Sequence, residues 1–217
     1  MPETVSSIFL FVPNVIGYAR IILAIVSFYY MPSDYVKAVF CYLLSSFLDE
    51  FDGYAARLLN QSTKFGAMLD QLTDRAATAC LLVTLAQLYP SYMFWFQMSL
   101  ALDIVGHWMH LHSSALQGSN SHKSMGLDSN PIMKIYYTSR PCLSIMCAGN
   151  EMFYSMLYLV HFTEGPFIPI LGISLVRTLL YVSAPIMAVK TLISLIHLVD
   201  GSIRLASIDV AERSKSQ

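Results

Sequence analysis

The chain alternates long apolar runs with short polar breaks, and the apolar runs have the length of membrane helices. A helix that crosses a bilayer needs roughly 20 mostly apolar residues. Six segments meet that requirement, at about 13–31, 36–59, 66–89, 93–115, 138–162 and 171–199. Turn-forming residues punctuate them: Pro32-Ser33-Asp34, Asn60 to Lys64, Tyr89-Pro90-Ser91, and Gly165-Pro166 with Pro169. The one sizeable polar loop is 116–137, which holds Ser119, Asn120, Ser121, His122, Lys123, Asp128 and Asn130. Residues 2–10, ahead of Pro13, are expected to lie along the membrane interface as a short amphipathic segment. No internal repeat or low-complexity stretch breaks the pattern. The expectation is an all-α, polytopic membrane protein: one domain over residues 1–217, a six-transmembrane-helix bundle with a short N-terminal interfacial segment.

Composition agrees with the pattern. The 217 residues are 55% hydrophobic and 12% charged, where a soluble domain carries about 25% charged, and mean hydropathy is +0.54. A net charge of −1 argues against a nucleic-acid partner. Cys41, Cys80, Cys142 and Cys147 form no C-x-x-C pair and read as buried reduced thiols. The first basic residue is Arg20 and no small-residue cleavage site follows it, so the first apolar segment is expected to stay as an anchor. Arg57, Lys64, Lys123, Lys134, Arg204, Arg213 and Lys215, with Arg140 at the edge, fall in the connections after segments two and four and in the C-terminal tail. The opposite connections hold almost none, Lys37 being the nearest. The positive-inside rule then places both termini and the loop between segments two and three in the cytoplasm, which in a eukaryotic chain suits the endoplasmic reticulum.

Candidate chemistry enters at the second break. Asp49, Asp52, Gly53, Ala56, Arg57, Gly66, Asp70 and Asp74 spell D-x2-D-G-x2-A-R-x8-G-x3-D-x3-D inside apolar sequence. Carboxylates at membrane depth each cost a few kcal/mol unless paired or facing a polar cavity, so cations must compensate them. Residues three and four apart share a helix face, which puts Asp49 with Asp52, and Gly66 with Asp70 and Asp74 on the next helix. The short turn makes the two helices antiparallel neighbours whose acids can converge. Such a set suits hard divalent cations, and two ions about 4 Å apart suit phosphoryl transfer. Gly53, Ala56 and Gly66 remove bulk where a ligand approaches the backbone, and Arg57 offers a planar fork to a phosphate. Two blander readings stand beside this one. Intramembrane acids sometimes only pair with arginine, and small residues at helical spacing often serve packing. Intramembrane acids also serve cation transporters, which predicts discontinuous helices and an inverted repeat.

This pattern resembles the signature of the CDP-alcohol phosphatidyltransferases, without a departure. Pro13-Asn14-Val15-Ile16-Gly17-Tyr18-Ala19-Arg20 likewise resembles the family's P-N-x-I-x-x-x-R opening. The resemblance implies a usually homodimeric helical bundle with Mg²⁺ or Mn²⁺ as cofactor. It implies that Asp49, Asp52, Asp70 and Asp74 are metal ligands, Asp74 also being the general base. It assigns CDP-diacylglycerol binding to Asn14, Gly53, Ala56, Arg57 and Gly66. Near-complete similarity extends through Phe9 to Asn14, His107 to Ser114, Ile135 to Pro141 and Cys147 to Glu151. It is strongest to animal members that join CDP-diacylglycerol to myo-inositol and release CMP. With no activated Ser or Cys nucleophile evident, a direct displacement is expected rather than a covalent intermediate. A family member acting on glycerol 3-phosphate, phosphatidylglycerolphosphate synthase, is the alternative.

For the acceptor, Asp103, His107, His110 and Ser114 recur at i, i+4, i+7 and i+11 on the fourth segment. Joined by Lys123, Tyr137 and Arg140, they offer the donors and acceptors a polyol needs. A zinc site on Asp103, His107 and His110 and an interhelical hydrogen-bond network compete with that reading. His161 and His197 read as packing or interfacial residues, and Asn150 and Glu151 as helix-packing polar groups.

Overall fold

The computed structural model describes residues 4–120, 139–169 and 172–215. Among the described residues seven helices follow one another: α1 (Val5–Phe9), α2 (Val12–Tyr30), α3 (Tyr35–Leu58), α4 (Lys64–Leu88), α5 (Met93–Asn120), α6 (Arg140–Phe162) and α7 (Leu175–Lys215). A 3-10 turn at Pro90–Tyr92 precedes α5, and two short antiparallel strands, β1 (Phe167–Ile168) and β2 (Ile173–Ser174), precede α7. The described fold is therefore essentially all-α. The strands form where Gly165 and Gly172 adopt φ of 69°, a left-handed conformation that costs glycine little.

The polar breaks became caps. Thr63 accepts from the Gly66 amide at 2.9 Å and starts α4, a contact worth roughly 1 kcal/mol. Asp34 and Ser139 cap α3 and α6 in the same way. Two segments run past their expected ends. α5 continues to Asn120, and α7 continues to Lys215 because Gly201 is accommodated against Met109 and Asp200 pairs with Arg204 one turn on, at 2.7 Å. Pro185 lies inside α7. The expected interfacial segment is the five-residue α1, fixed by a Thr4–Ser7 capping box.

The chain divides into two compact units between Pro90 and Ser91. In the first, α2 packs against both α3 and α4, while α3 and α4 touch each other little. The packed stripe of α2 is small or polar: Pro13, Asn14, Gly17, Arg20, Ala24 and Ser27. Large apolar residues such as Ile22, Ile25, Tyr29, Phe40 and Phe47 point outward. That inversion is the pattern of helices that meet each other through small residues and meet lipid through large ones. Ser27 Oγ donates to the Ala38 carbonyl at 2.8 Å and Ser45 Oγ to the Arg20 carbonyl at 3.0 Å, tying α2 to α3. In the second unit α7 packs against α5 and α6. At Gly149 on α6 a Cβ would lie 2.4 Å from Ile186 of α7, so only glycine permits that approach.

Among the described residues two helices, Val12–Tyr30 and Leu175–Ser214, are long and apolar enough to cross a membrane by length and composition. That is fewer than the six segments counted from sequence. α3 and α4 carry the four aspartates together with Lys37, Arg57, Lys64 and Arg75, which lowers their hydropathy.

Candidate active site

In the first unit the two aspartate pairs converge on one guanidinium. α3 presents Asp49 and Asp52 three residues apart, α4 presents Asp70 and Asp74 four apart, and α2 inserts Arg20 between them. Arg20 Nη1 donates to Asp52 Oδ2 at 2.5 Å and Asp70 Oδ1 at 2.7 Å. Nη2 donates to Asp74 Oδ1 at 2.6 Å and pairs with Asp49 Oδ1 at 2.7 Å, the last without hydrogen-bond alignment. Each terminal nitrogen thus bridges one carboxylate from α3 and one from α4. The Arg20 side chain is 2% exposed, and a buried guanidinium is tolerable only when opposite charge surrounds it.

The four carboxylates are not equivalent. Asp52 is 11% exposed, whereas Asp49, Asp70 and Asp74 are 36%, 44% and 36% exposed. Carboxylate oxygens of these last three lie within 4.8 Å of one another. Arg20 engages one oxygen of each carboxylate, and each has a second. An all-oxygen set of this density suits a hard divalent cation, so the residues present fit one.

Beside the cluster lies a cavity of about 200 Å³. Asn14, Gly53, Ala56, Arg57 and Gly66 all line it, together with Asp52, Asp70 and the Gln61–Thr63 turn. Two of these positions depend on the missing side chain. A Cβ on Gly66 would lie 2.8 Å from Asn14 Oδ1 and 3.2 Å from Thr63 Oγ1, and one on Gly53 would lie 3.3 Å from Arg57 Nη1. Asn14 is held in turn, since its Nδ2 donates to the Ile8 carbonyl at 2.6 Å. Gln61 Oε1 accepts from the Val12 amide at 3.0 Å and ties the α3–α4 turn to the start of α2. Asn60 begins that turn at φ 55°.

The acceptor stripe lies in the second unit and gathers different partners. On α5, His107 Nδ1 lies 2.7 Å from the Asp103 carbonyl and 3.4 Å from its Oδ1. His197 of α7 is buried against the same helix, stacked on His110 at 5.5 Å and edge-on to His107 at 6.1 Å between ring centroids. The side chains of Ser114 and Arg140, and the whole of Lys123 and Tyr137, lie outside the described residues. Among the described residues the group that fits a metal is Asp49, Asp70 and Asp74, not Asp103 with the histidines.

Sequence reasoning gave Arg20 no role beyond its place in the N-terminal motif. The signal was available. It is the lone basic residue of an apolar helix, three residues from Gly17 and six from Asn14 on the packed face, and four acids elsewhere required a cation.

The profile of the family described as CDP-alcohol phosphatidyltransferase matches residues 10–199. The chain is 56% identical over 217 residues to a Homo sapiens protein named CDP-diacylglycerol–inositol 3-phosphatidyltransferase, covering 100% of each. It is 50% identical over 210 residues to the Drosophila melanogaster protein of that name, covering 97% of this chain and 91% of the relative. The Saccharomyces cerevisiae protein of that name is 42% identical over 166 residues, 76% of each chain.

Proposed function

The chain belongs to the CDP-alcohol phosphatidyltransferase family, and from that premise we propose that it transfers the phosphatidyl group of CDP-diacylglycerol to myo-inositol, giving phosphatidylinositol and CMP. The observation that carries the reading is the convergence of four carboxylates beside a cavity lined by Asn14, Gly53, Ala56, Arg57 and Gly66. Relatives named for the inositol reaction, matched over 97–100% of this chain, support inositol over glycerol 3-phosphate. Family membership favours group transfer over cation transport by the same acids.

The cavity accepts the cytidine diphosphate, with Gly53, Ala56 and Gly66 giving it access to the helix backbones and Arg57 meeting its phosphates. Asp49, Asp52, Asp70 and Asp74 would hold the divalent cation, Mg²⁺ or Mn²⁺, which when bound supplies charge neutralisation on the diphosphate. Asp74, whose side chain is 36% exposed, takes the proton from the acceptor hydroxyl. The hydroxyl oxygen forms a bond to the phosphorus that carries diacylglycerol, and the bond from that phosphorus to the CMP oxygen breaks. Asp103, His107 and Ser114, with Lys123, Tyr137 and Arg140, are the candidates for holding inositol. The apolar helices and the family give the chain the character of a membrane protein. We place it in the endoplasmic reticulum as a homodimer of one six-span domain, with both termini and the site cytoplasmic. The scarcity of basic residues in the opposite connections supports that orientation; Lys37, paired with Asp34, and Arg177, paired with Glu164, are the exceptions.

The test is an assay of purified protein in detergent with CDP-diacylglycerol, Mn²⁺ and labelled inositol. Lipid product is expected, lost on chelation with EDTA and restored by excess Mn²⁺, and reduced by about 10²–10⁴-fold in Asp74→Asn. Product with glycerol 3-phosphate alone would overturn the acceptor, and product from Asp74→Asn at the wild-type rate would remove Asp74 as the base.

A further inference from the structure

The Arg20 guanidinium is placed behind the carboxylates, on the side away from their exposed faces. Its side chain is 2% exposed, while three of the four aspartates it touches are more than a third exposed. It therefore contacts the buried edge of the cluster and leaves the open edge to other ligands. Arg20 takes one oxygen of each of four carboxyl groups, and the second oxygens remain to draw a divalent cation without expelling the arginine.

The helix packing gives Arg20 a second significance. α3 and α4 make few contacts with each other, and α2 packs against both. The carboxylate pairs of α3 and α4 come within 4.8 Å of each other, and α2 supplies the cation between them. Nη1 joins Asp52 to Asp70, and Nη2 joins Asp49 to Asp74. The backbone at Arg20 is itself fixed, because its carbonyl accepts from Ser45 Oγ at 3.0 Å. Only a planar fork with two terminal nitrogens reaches all four acids at once. An ammonium is a point charge and can satisfy fewer.

We infer that Arg20 is a positioning residue for the divalent cation: it holds the two aspartate pairs together from their buried side, so that the cation meets a site already assembled. The inference rests on the metal-assisted reading above. Without Arg20 the four carboxyl groups lose the one cation that contacts them all, and the ion must gather its own ligands. The cost of gathering them appears as lost affinity, and partners that orient metal ligands from behind typically account for 10–100-fold.

The experiment compares the full chain with Arg20→Lys and Arg20→Gln in detergent, titrating Mn²⁺ and reading free ion by electron paramagnetic resonance, with no substrate present. We expect Mn²⁺ to bind about ten-fold more weakly in the lysine variant and weaker still in the glutamine variant. In the transferase assay the Mn²⁺ concentration for half-maximal rate should rise in parallel. The lysine variant should regain a rate within a few-fold of wild type at saturating Mn²⁺. A merely structural loss would lower the rate at every Mn²⁺ concentration and leave the half-maximal concentration where it was. Should the glutamine variant not fold, the lysine variant alone decides. Affinities within two-fold of wild type, or tighter, would overturn the role of Arg20 while leaving the metal reading intact. Failure of the wild-type protein to bind Mn²⁺ would overturn the metal reading itself.

Discussion

Each unit of the molecule buries one polar cluster, and the two do so by opposite means. In the first, four aspartates surround Arg20, and the cluster opens on one side to a cavity. In the second, His197 stacks on His110 and meets His107 edge-on beside Asp103, with Asp200 and Arg204 paired along α7. Formal charges in an apolar chain need a built-in counter-ion or a polar opening, so the first cluster is tightly specified by spacing and charge. Imidazole rings carry much of their burial as flat apolar surface and need no counter-ion when neutral. A cluster of the first kind announces chemistry, whereas one of the second kind serves either a ligand or the core.

Substitutions separate these two roles. The largest effect beyond Asp74 is expected at Gly66, where Ala would put its Cβ 2.8 Å from an Asn14 amide that the Ile8 carbonyl already holds. We expect Gly66→Ala to lower kcat/KM for CDP-diacylglycerol by about 10²-fold, the scale of an ångström misplacement. Its melting temperature should barely move, since Ala favours the helix. Measuring that ratio at saturating inositol checks it, and a change below two-fold would mean the cavity is not where the donor sits. A smaller effect is expected in the second unit. His107→Ala should raise KM for inositol by about ten-fold, the scale of one well-made hydrogen bond, and leave KM for CDP-diacylglycerol alone. A fall in melting temperature with both KM values unchanged would return the histidines to the core and break the acceptor reading.

How much of this was legible follows the same division. The helix starts at Val12, Tyr35, Lys64 and Met93 could be read within two residues, because Pro13, Asp34, Thr63 and Pro90 act locally. The facing of Asp49 with Asp52 and of Asp70 with Asp74 follows from helical spacing alone. The ends of α5 and α7 were misjudged, because neither Gly201 nor the falling hydropathy stops a helix that has a packing partner and an Asp200–Arg204 bridge. The centre of the site was harder still. Arg20 lies 29 residues from Asp49 and 54 from Asp74 in sequence, and no local pattern joins residues that meet only when α2 packs against α3 and α4. His197 belongs to the same class, since only the packing of α7 on α5 brings it to His107 and His110.

The smallest expected effect calibrates the contrast between buried and exposed charge. Asp34 caps α3, accepting from the Lys37 amide at 3.2 Å, and pairs with Lys37 Nζ at 2.9 Å in the open. The hydrogen bond from the Lys37 side chain, followed by that from its backbone amide, holds the Asp34 carboxyl below its ordinary value of 3.8. A depressed carboxylate value in the folded state means stabilisation that is fully present above that ordinary value. It is lost as pH falls through the lowered folded value. Asp34→Ala should therefore lower the melting temperature slightly at pH 7 and leave transferase activity unchanged. The difference from wild type should shrink as the pH is taken below 3.8. Thermal unfolding of both proteins at pH 7 and in acid measures this. If the difference were as large as that for Arg20→Gln, exposure would not be what separates a surface ion pair from the buried cluster, and the comparison of the two regions would lose its physical basis.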